Sequence, residues 1–139
     1  MPKSILIDLN IIVDIFTKRS GYINSRKLVL ELQARGEKMY ISASMVMTLS
    51  YILESARQPD SMIGISLAWT LKTFIVVPTD SNILRAALTS SVKDYEDAVV
   101  EQAAILSGAQ TIITRNIKDF KLSRVPAVTP EDYLALLHP

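Results

Sequence analysis

The chain has no cysteine, which removes disulfides, thiolate nucleophiles and cysteine-ligated zinc or iron–sulfur centres. Its single histidine, His138, stands next to the C-terminus. A Ser-His-Asp relay or a multi-histidine metal site therefore has nothing to be built from. An excess of one charge is also missing. The 15 Lys and Arg face 14 Asp and Glu, a net of +1, so no global field singles out a nucleic acid or a membrane as partner. That average does not exclude a local basic patch. No apolar stretch approaches the roughly 18–20 residues that cross a bilayer. The brief apolar run after Lys3 is broken by Asp8, unlike a signal peptide. The expectation is a cytoplasmic protein with no membrane partner.

What is present is a chain that is 49% hydrophobic and 139 residues long, enough for one domain with a real core, expected over 1–139. There is no internal repeat, low-complexity tract or linker. Strand-like runs fall at Ser4–Ile7, Met39–Ile41, Phe74–Val77, Thr111–Thr114 and, more weakly, Ala127–Thr129. They are short, β-branched or aromatic, and lack strict alternation, as strands covered on both faces do. Helical patterns lie between them at 11–17, 23–35, 43–56, 59–72, 80–90, 95–107 and 130–137. Gly36 and Gly108 read as C-caps, and Ser42, Asp80 and Thr129 as N-caps. Alternating strands and helices predict an α/β fold, a three-layer α/β/α sandwich around a mainly parallel, Rossmann-like sheet.

Acids and amides gather where the apolar runs end. Ile5-Leu6-Ile7 runs into Asp8-Leu9-Asn10, with Asp14 a helical turn further on. Asp94-Tyr95-Glu96-Asp97 opens a helix, and Thr111-Ile112-Ile113-Thr114 runs into Arg115-Asn116-Ile117-Lys118-Asp119. In a parallel sheet the carboxyl ends of the strands share one edge, where ligands bind. Carboxylates gathered there repel one another unless something positive holds them, and a hard divalent cation with oxygen ligands is the natural candidate.

Each residue also has a plainer role open to it. Asp8 could cap the helix that follows, although capping leaves Asn10 and Asp14 unexplained. Asp14, on the same helix face as Asn10, could be a solvated surface acid. Asp94 and Asp97 resemble a capping box at a helix N-terminus, where the dipole favours acids. Positions 94, 97 and 101 share one stripe at about 3.6 residues per turn, so Glu101 is expected to extend that acidic face. Thr114, Asn116 and Asp119 could form an ordinary turn. Lys18, Arg19, Lys93, Arg115, Lys118, Lys121 and Arg124 surround the same edge, either as a wet surface or as contacts to a phosphodiester backbone. Carboxylates holding one or two Mg²⁺ or Mn²⁺ ions suit phosphodiester hydrolysis without a nucleophilic side chain.

At these residues the chain resembles the PIN-domain family of metal-dependent ribonucleases, in the branch of VapC-type toxins and related small stand-alone proteins. The likeness spans nearly the whole chain: the opening strand with Asp8-x-Asn10, the helix opening Asp94–Ala98, the stretch Thr111–Phe120, and the closing Val128-Thr129-Pro130-Glu131-Asp132-Tyr133-Leu134. It implies Mg²⁺ or Mn²⁺ dependence and endonucleolytic cleavage of RNA. By position it makes Asp8 and Asp97 metal ligands and catalytic residues, with Asp119 as a further catalytic residue and metal ligand and Asp94 as a further metal ligand. Asn10, Asp14, Thr48, Glu101, Thr114 and Asn116 would support them, and Arg115 and Lys118 would contact RNA. Two family acids are absent: Thr48 stands in place of the second and Asn116 of the fourth. Asp119 is a substitute for the latter, while Glu54, about 240° round the helix from Thr48, is not a substitute for the former.

The leading expectation is a metal-dependent endoribonuclease, with the toxin of a toxin–antitoxin pair, inhibited by a cognate antitoxin, as its expected setting. The alternative is a catalytically weakened PIN domain that binds RNA or protein. A phosphotransfer domain with Asp8 as nucleophile fits less well, since it would want a second aspartate at Asn10 or adjacent acids and a lysine. A homodimer is expected by family analogy. Met45, Met47, Tyr51, Leu53, Met62, Ile65, Leu67 and Trp69 could supply an interface, but most are expected in the core.

Overall fold

The computed structural model describes residues 2–139. The elements run β1 (Ser4–Ile7), α1 (Leu9–Thr17), α2 (Tyr22–Ala34), β2 (Lys38–Ser42), α3 (Ala43–Ser55), α4 (Asp60–Thr73), β3 (Ile75–Val77), α5 (Ser81–Ala87), α6 (Tyr95–Ser107), β4 (Thr111–Ile113), β5 (Ala127–Val128) and α7 (Pro130–Leu137). A single 3-10 turn, Ile117–Phe120, lies between β4 and β5.

All five strands are parallel, in the order β3-β2-β1-β4-β5. The chain builds outward from β1 through β2 to β3, then returns to lay β4 on the other side of β1. The strand order therefore reverses between β1 and β4, and a crevice opens beyond their carboxyl ends. Ile5, Leu6 and Ile7 are at most 1% exposed, as are Ile112 and Ile113. Successive strand residues face opposite sides, so both faces of the central strands are covered. This is the α/β/α layering the apolar runs predict. Burial of each such side chain is worth about 1.5–3 kcal/mol, which makes these strands the rigid floor of the molecule.

Local chemistry sets the ends of the helices. The Asp8, Asp80, Asp94 and Thr129 side chains each accept a backbone N–H in the first turn of the helix they precede. Ser42 precedes α3 without such a bond, and its hydroxyl instead pairs with those of Ser44 (2.7 Å) and Thr79 (2.9 Å). The expected side-chain cap there is corrected, because two neighbouring hydroxyls compete for it. A second correction concerns α3 and α4. Met45 and Leu53 are core, and Leu67 and Trp69 pack partly against it. Met47, Tyr51, Met62 and Ile65 are exposed, at 76%, 70%, 46% and 61%. These helices are apolar on more of their circumference than the fold can cover.

Two glycines meet different demands. Gly108 ends α6 at φ 73° with open space where a Cβ would stand. Gly21 precedes α2 at φ 88°, and a Cβ there would overlap the Arg115 guanidinium. Gly108→Ala is expected to cost only the left-handed strain, about 1–2 kcal/mol. Gly21→Ala should cost distinctly more, because it also displaces Arg115. Urea denaturation of both variants checks this, and equal costs would mean the guanidinium moves aside freely.

Candidate active site

The crevice beyond β1 and β4 holds a cleft of about 240 Å³ lined by Asp8, Asn10, Ser44, Thr48, Glu96, Asp97 and Asn116 among others. The sheet ends and three helix starts converge there. Asp8 follows β1 and caps α1, with Oδ1 accepting the Leu9 N–H at 2.8 Å. Its Oδ2 accepts the Thr114 hydroxyl at 2.8 Å. The Thr114 hydroxyl oxygen in turn accepts from Asn10 Nδ2 (3.3 Å) and from the Asn116 N–H (3.1 Å). Asn10 Oδ1 accepts the Arg115 N–H at 3.3 Å. One buried hydroxyl thus ties together the residues that follow β1 and β4.

The electrostatics are those of an anionic cleft. Burial pushes the Asp8 carboxyl above its ordinary value, opposed by the hydrogen bonds from Thr114 and the Leu9 N–H. Asp97, half-buried across the cleft, is pushed up to about 7, first by desolvation and then by the charges of Asp8, Asp94, Asp119 and Glu96. Desolvation and mutual repulsion act in the same direction here, and no cationic side chain relieves them. Such a perturbed carboxyl in a cleft marks a functional-site candidate.

The residues expected at the site fall into three groups. Asp8, Asn10, Thr48, Asp97 and Asn116 line the cleft, with Thr114 behind Asp8. Thr48 donates its hydroxyl to the Ser44 carbonyl (3.3 Å). Asp94 and Asp119 line the adjoining cleft, beside Lys118. Asp94 is occupied as the cap of α6, accepting the Asp97 N–H at 3.0 Å.

The remaining three point elsewhere and correct the sequence reading. Glu101 does not extend the acidic face. It is 1% exposed and accepts from the Ser90 hydroxyl (2.6 Å) and the Arg124 N–H (2.8 Å). Asp14 turns away from the cleft and, 2% exposed, pairs with Arg115 and more distantly with Arg19 (3.9 Å). Arg115 is consequently not a free cation: it spans Asp14 and, at 3.9 Å, Glu131 of α7. Sequence reasoning missed Glu96 and Ser44 as lining residues. Glu96 lies off the 94–97–101 stripe, but a cleft at a helix N-terminus is faced by the whole first turn. Its adjacency to Asp97 was the available signal.

Among the described residues, no three His, Cys, Asp or Glu side chains come together closely enough to hold a metal ion. Three carboxylates, Asp8, Asp97 and the exposed Glu96, share the cleft with the neutral oxygens of Asn10, Asn116, Ser44 and Thr48. That donor set fits Mg²⁺, which keeps several waters and takes one or two carboxylates. It fits poorly a cation that needs a full protein cage.

The sequence matches the PIN domain family over residues 4–118. Three solved structures share the fold. The VapBC2 complex from Rickettsia felis, bound to a DNA fragment from their promoter, has TM-score 0.70 and 19% identity, covering 91% of this chain and 98% of that one. A toxin–antitoxin complex from Klebsiella pneumoniae has TM-score 0.65 and 26% identity, covering 90% and 96%. DNA-bound VapBC from Salmonella typhimurium has TM-score 0.67 and 18% identity, covering 94% and 99%. No curated protein matches the sequence.

Two outcomes follow from this geometry. Arg115→Met leaves Asp14 buried with only the distant Arg19, and should destabilise by about 3 kcal/mol. The double variant Arg115→Met/Asp14→Leu should recover most of that loss in a denaturation cycle; no recovery would mean the pair is not coupled. Asp97 holds its proton more tightly in the folded chain, so between 3.8 and about 7 stability falls as pH rises. Metal-free Asp97→Asn should therefore melt a few degrees above the parent at pH 8 and close to it at pH 4, since the parent's destabilising charge is then largely protonated. Thermal melts across that range check the sign, which a flat difference would contradict.

Proposed function

The chain belongs to the PIN domain family, whose members are generally divalent-metal-dependent nucleases, and we propose that this one is a metal-dependent endoribonuclease hydrolysing RNA phosphodiester bonds. The observation that carries the reading is the pair Asp8 and Asp97 facing one cleft at the sheet's switch point, with Asp97 pushed up to about 7 by burial and neighbouring carboxylates. Asp8 and Asp97 would hold Mg²⁺ or Mn²⁺, and the Asn10 and Asn116 amides would orient its waters. When bound, such a cation supplies charge stabilisation at the phosphate and an acidified water for attack. Thr114 and the Leu9 N–H fix the rotamer of Asp8, so its remaining lone pairs are presented to the cleft. Asp94, Glu96 and Asp119 deepen the negative potential that draws a cation in.

The similar structures include toxin–antitoxin complexes, and they support reading this chain as a VapC-type toxin with an antitoxin partner. Exposed Met47 and Tyr51 on α3 and Ile65 on α4 offer apolar surface for such a partner or for a homodimer. A second reading, a weakened PIN module that binds RNA or protein, is favoured by one observation: among the described residues no third acid comes close enough to Asp8 and Asp97 to complete a metal-holding cluster, and Thr48 and Asn116 stand in the cleft instead.

Cleavage of mixed single-stranded RNA decides between them. With Mg²⁺ or Mn²⁺, the wild-type chain should cut, and chelator should abolish cutting. Asp8→Asn and Asp97→Asn should each lower the rate by at least about 100-fold, the scale of removing transition-state charge stabilisation. Folded, metal-supplied protein that cuts nothing would favour the binding module. Cutting that survives both substitutions would put the site elsewhere.

A further inference from the structure

Beside the acidic cleft lies a second one of about 380 Å³, between the loop that precedes α6 and the 3-10 turn after β4. Lys93 stands on one wall, and Lys118 and Lys121 on the other. Lys118 and Lys121 also line a third depression that continues to Arg124. The two depressions therefore abut at Lys118 and Lys121 and together form one channel. It runs from Asp94 and Asp119, whose charges act on Asp97 in the acidic cleft, to Pro126 and Ala127 at β5. All four cations are exposed, and among the described residues none of them forms a salt bridge.

We propose that this channel carries the RNA strand away from the acidic cleft, with Lys93, Lys118, Lys121 and Arg124 as its phosphate contacts. The proposal rests on the ribonuclease reading for the choice of RNA. Its own support is the placement of charge. Arg115 and Arg19, which sequence position also put near the site, are committed to Asp14. Asp94, one of the two acids in the channel, is occupied by the Asp97 N–H. Four unpaired cations against two acids leave a net positive strip leading out of a negative cleft. A polyanion crossing the cleft needs such a strip, because phosphates near Asp8 and Asp97 are repelled and must be held from outside.

The channel walls are also fixed in place. Glu101, buried beneath them, accepts from the Ser90 hydroxyl on one side and from the Arg124 N–H on the other. Ser90 Oγ accepts the Val92 N–H at 3.0 Å, next to Lys93. Glu101, which sequence position put on the acidic stripe of α6, therefore acts as a positioning residue, clamping the two loops that carry the lysines. Exposed Leu122 in the channel and Ile117 in the continuing depression add apolar surface against which unpaired bases can rest.

The test is equilibrium binding of a labelled single-stranded RNA of about 12 nucleotides, within the usual single-strand site sizes. It is run in the Asp8→Asn background, so that cleavage cannot enter, across a salt series. Lys93→Ala, Lys118→Ala and Lys121→Ala should each weaken binding roughly three- to tenfold and lower the salt slope by about 0.7. Lys72→Ala, on α4 ahead of β3, should change neither. Unchanged affinity and slope in the three variants, an equal loss in Lys72→Ala, or no RNA binding at all would overturn the channel. Equal affinity for DNA of the same sequence would overturn its assignment to RNA. Lysine-dependent binding by a chain that cuts nothing would keep the channel and remove the nuclease. Cutting that is indifferent to all three lysines would do the reverse.

Discussion

The Thr114 hydroxyl ties the ends of the two central strands together, and the arrangement of the acidic cleft depends on it. Thr114 is fully buried, and its one proton goes to Asp8 while its oxygen takes N–H groups from Asn10 and Asn116. The Asn10 amide adds a second tie, donating to Thr114 and accepting the Arg115 N–H. The contest at Asp8 shows what the bond does. Burial raises the carboxyl's proton affinity, while Thr114 and the Leu9 N–H lower it, and burial wins. Each hydrogen bond to the charged carboxylate contributes about 1.5–3 kcal/mol net, and the two together do not offset removing it from water. Asp8 is therefore held in place but not satisfied, which is the condition that favours a positive counter-charge from outside the chain.

Burial sorts the remaining charges into two populations. Asp14 and Glu101 are almost wholly enclosed and have their partners within the fold: Arg115 for one, Ser90 and the Arg124 backbone for the other. They connect elements that are distant in sequence. Arg115 joins α1, the approach to α2 and the start of α7, since it spans Asp14 and Glu131 and lies against Gly21. Asp8 keeps the Thr114 hydroxyl and the Leu9 N–H but still faces the cleft, and among the described residues neither it, nor Asp97, nor the lysines beyond Asn116 forms a salt bridge. A chain with a net charge of +1 thus keeps an unsatisfied acidic cleft beside an unpaired basic strip. The near-zero total conceals a separation that only the fold makes.

The sheet was legible because of how it is buried. Strands covered on both faces must be continuously apolar, so Ser4–Ile7 and Thr111–Ile113 stand out against helices of mixed character. Asp80, Asp94 and Thr129 were legible as caps because each acts within its own first turn. Three of the misreadings concern partners elsewhere in the fold rather than in the same turn. Glu101 shares a stripe with Asp94 and Asp97, but a stripe says nothing of the loop that folds over its far end. Asp14 shares a face with Asn10, yet Arg115 meets it from the end of β4. Ser42 had the right neighbours for a cap and lost its hydroxyl to Thr79, 37 residues on. Helical periodicity fixes which residues share a side; it does not fix what lies opposite.

The two absent acids have a physical consequence that runs in both directions. A carboxylate at Thr48 or Asn116 would line the same cleft as Asp8 and Asp97. Four neighbouring acids already push Asp97 up to about 7. A further one inside the cleft would raise it again and destabilise the metal-free fold at neutral pH. Threonine and asparagine remove that repulsion and leave oxygen ligands in place. They also remove attraction for a cation, since ligand charge is what holds a hard ion that keeps most of its water. Nearby acids partly offset this, because the charges of Asp94, Glu96 and Asp119 act on Asp97 in the cleft. A cation site of this composition would trade tight binding for a fold that tolerates the cation's absence, and its occupancy would depend on the divalent-ion concentration around it.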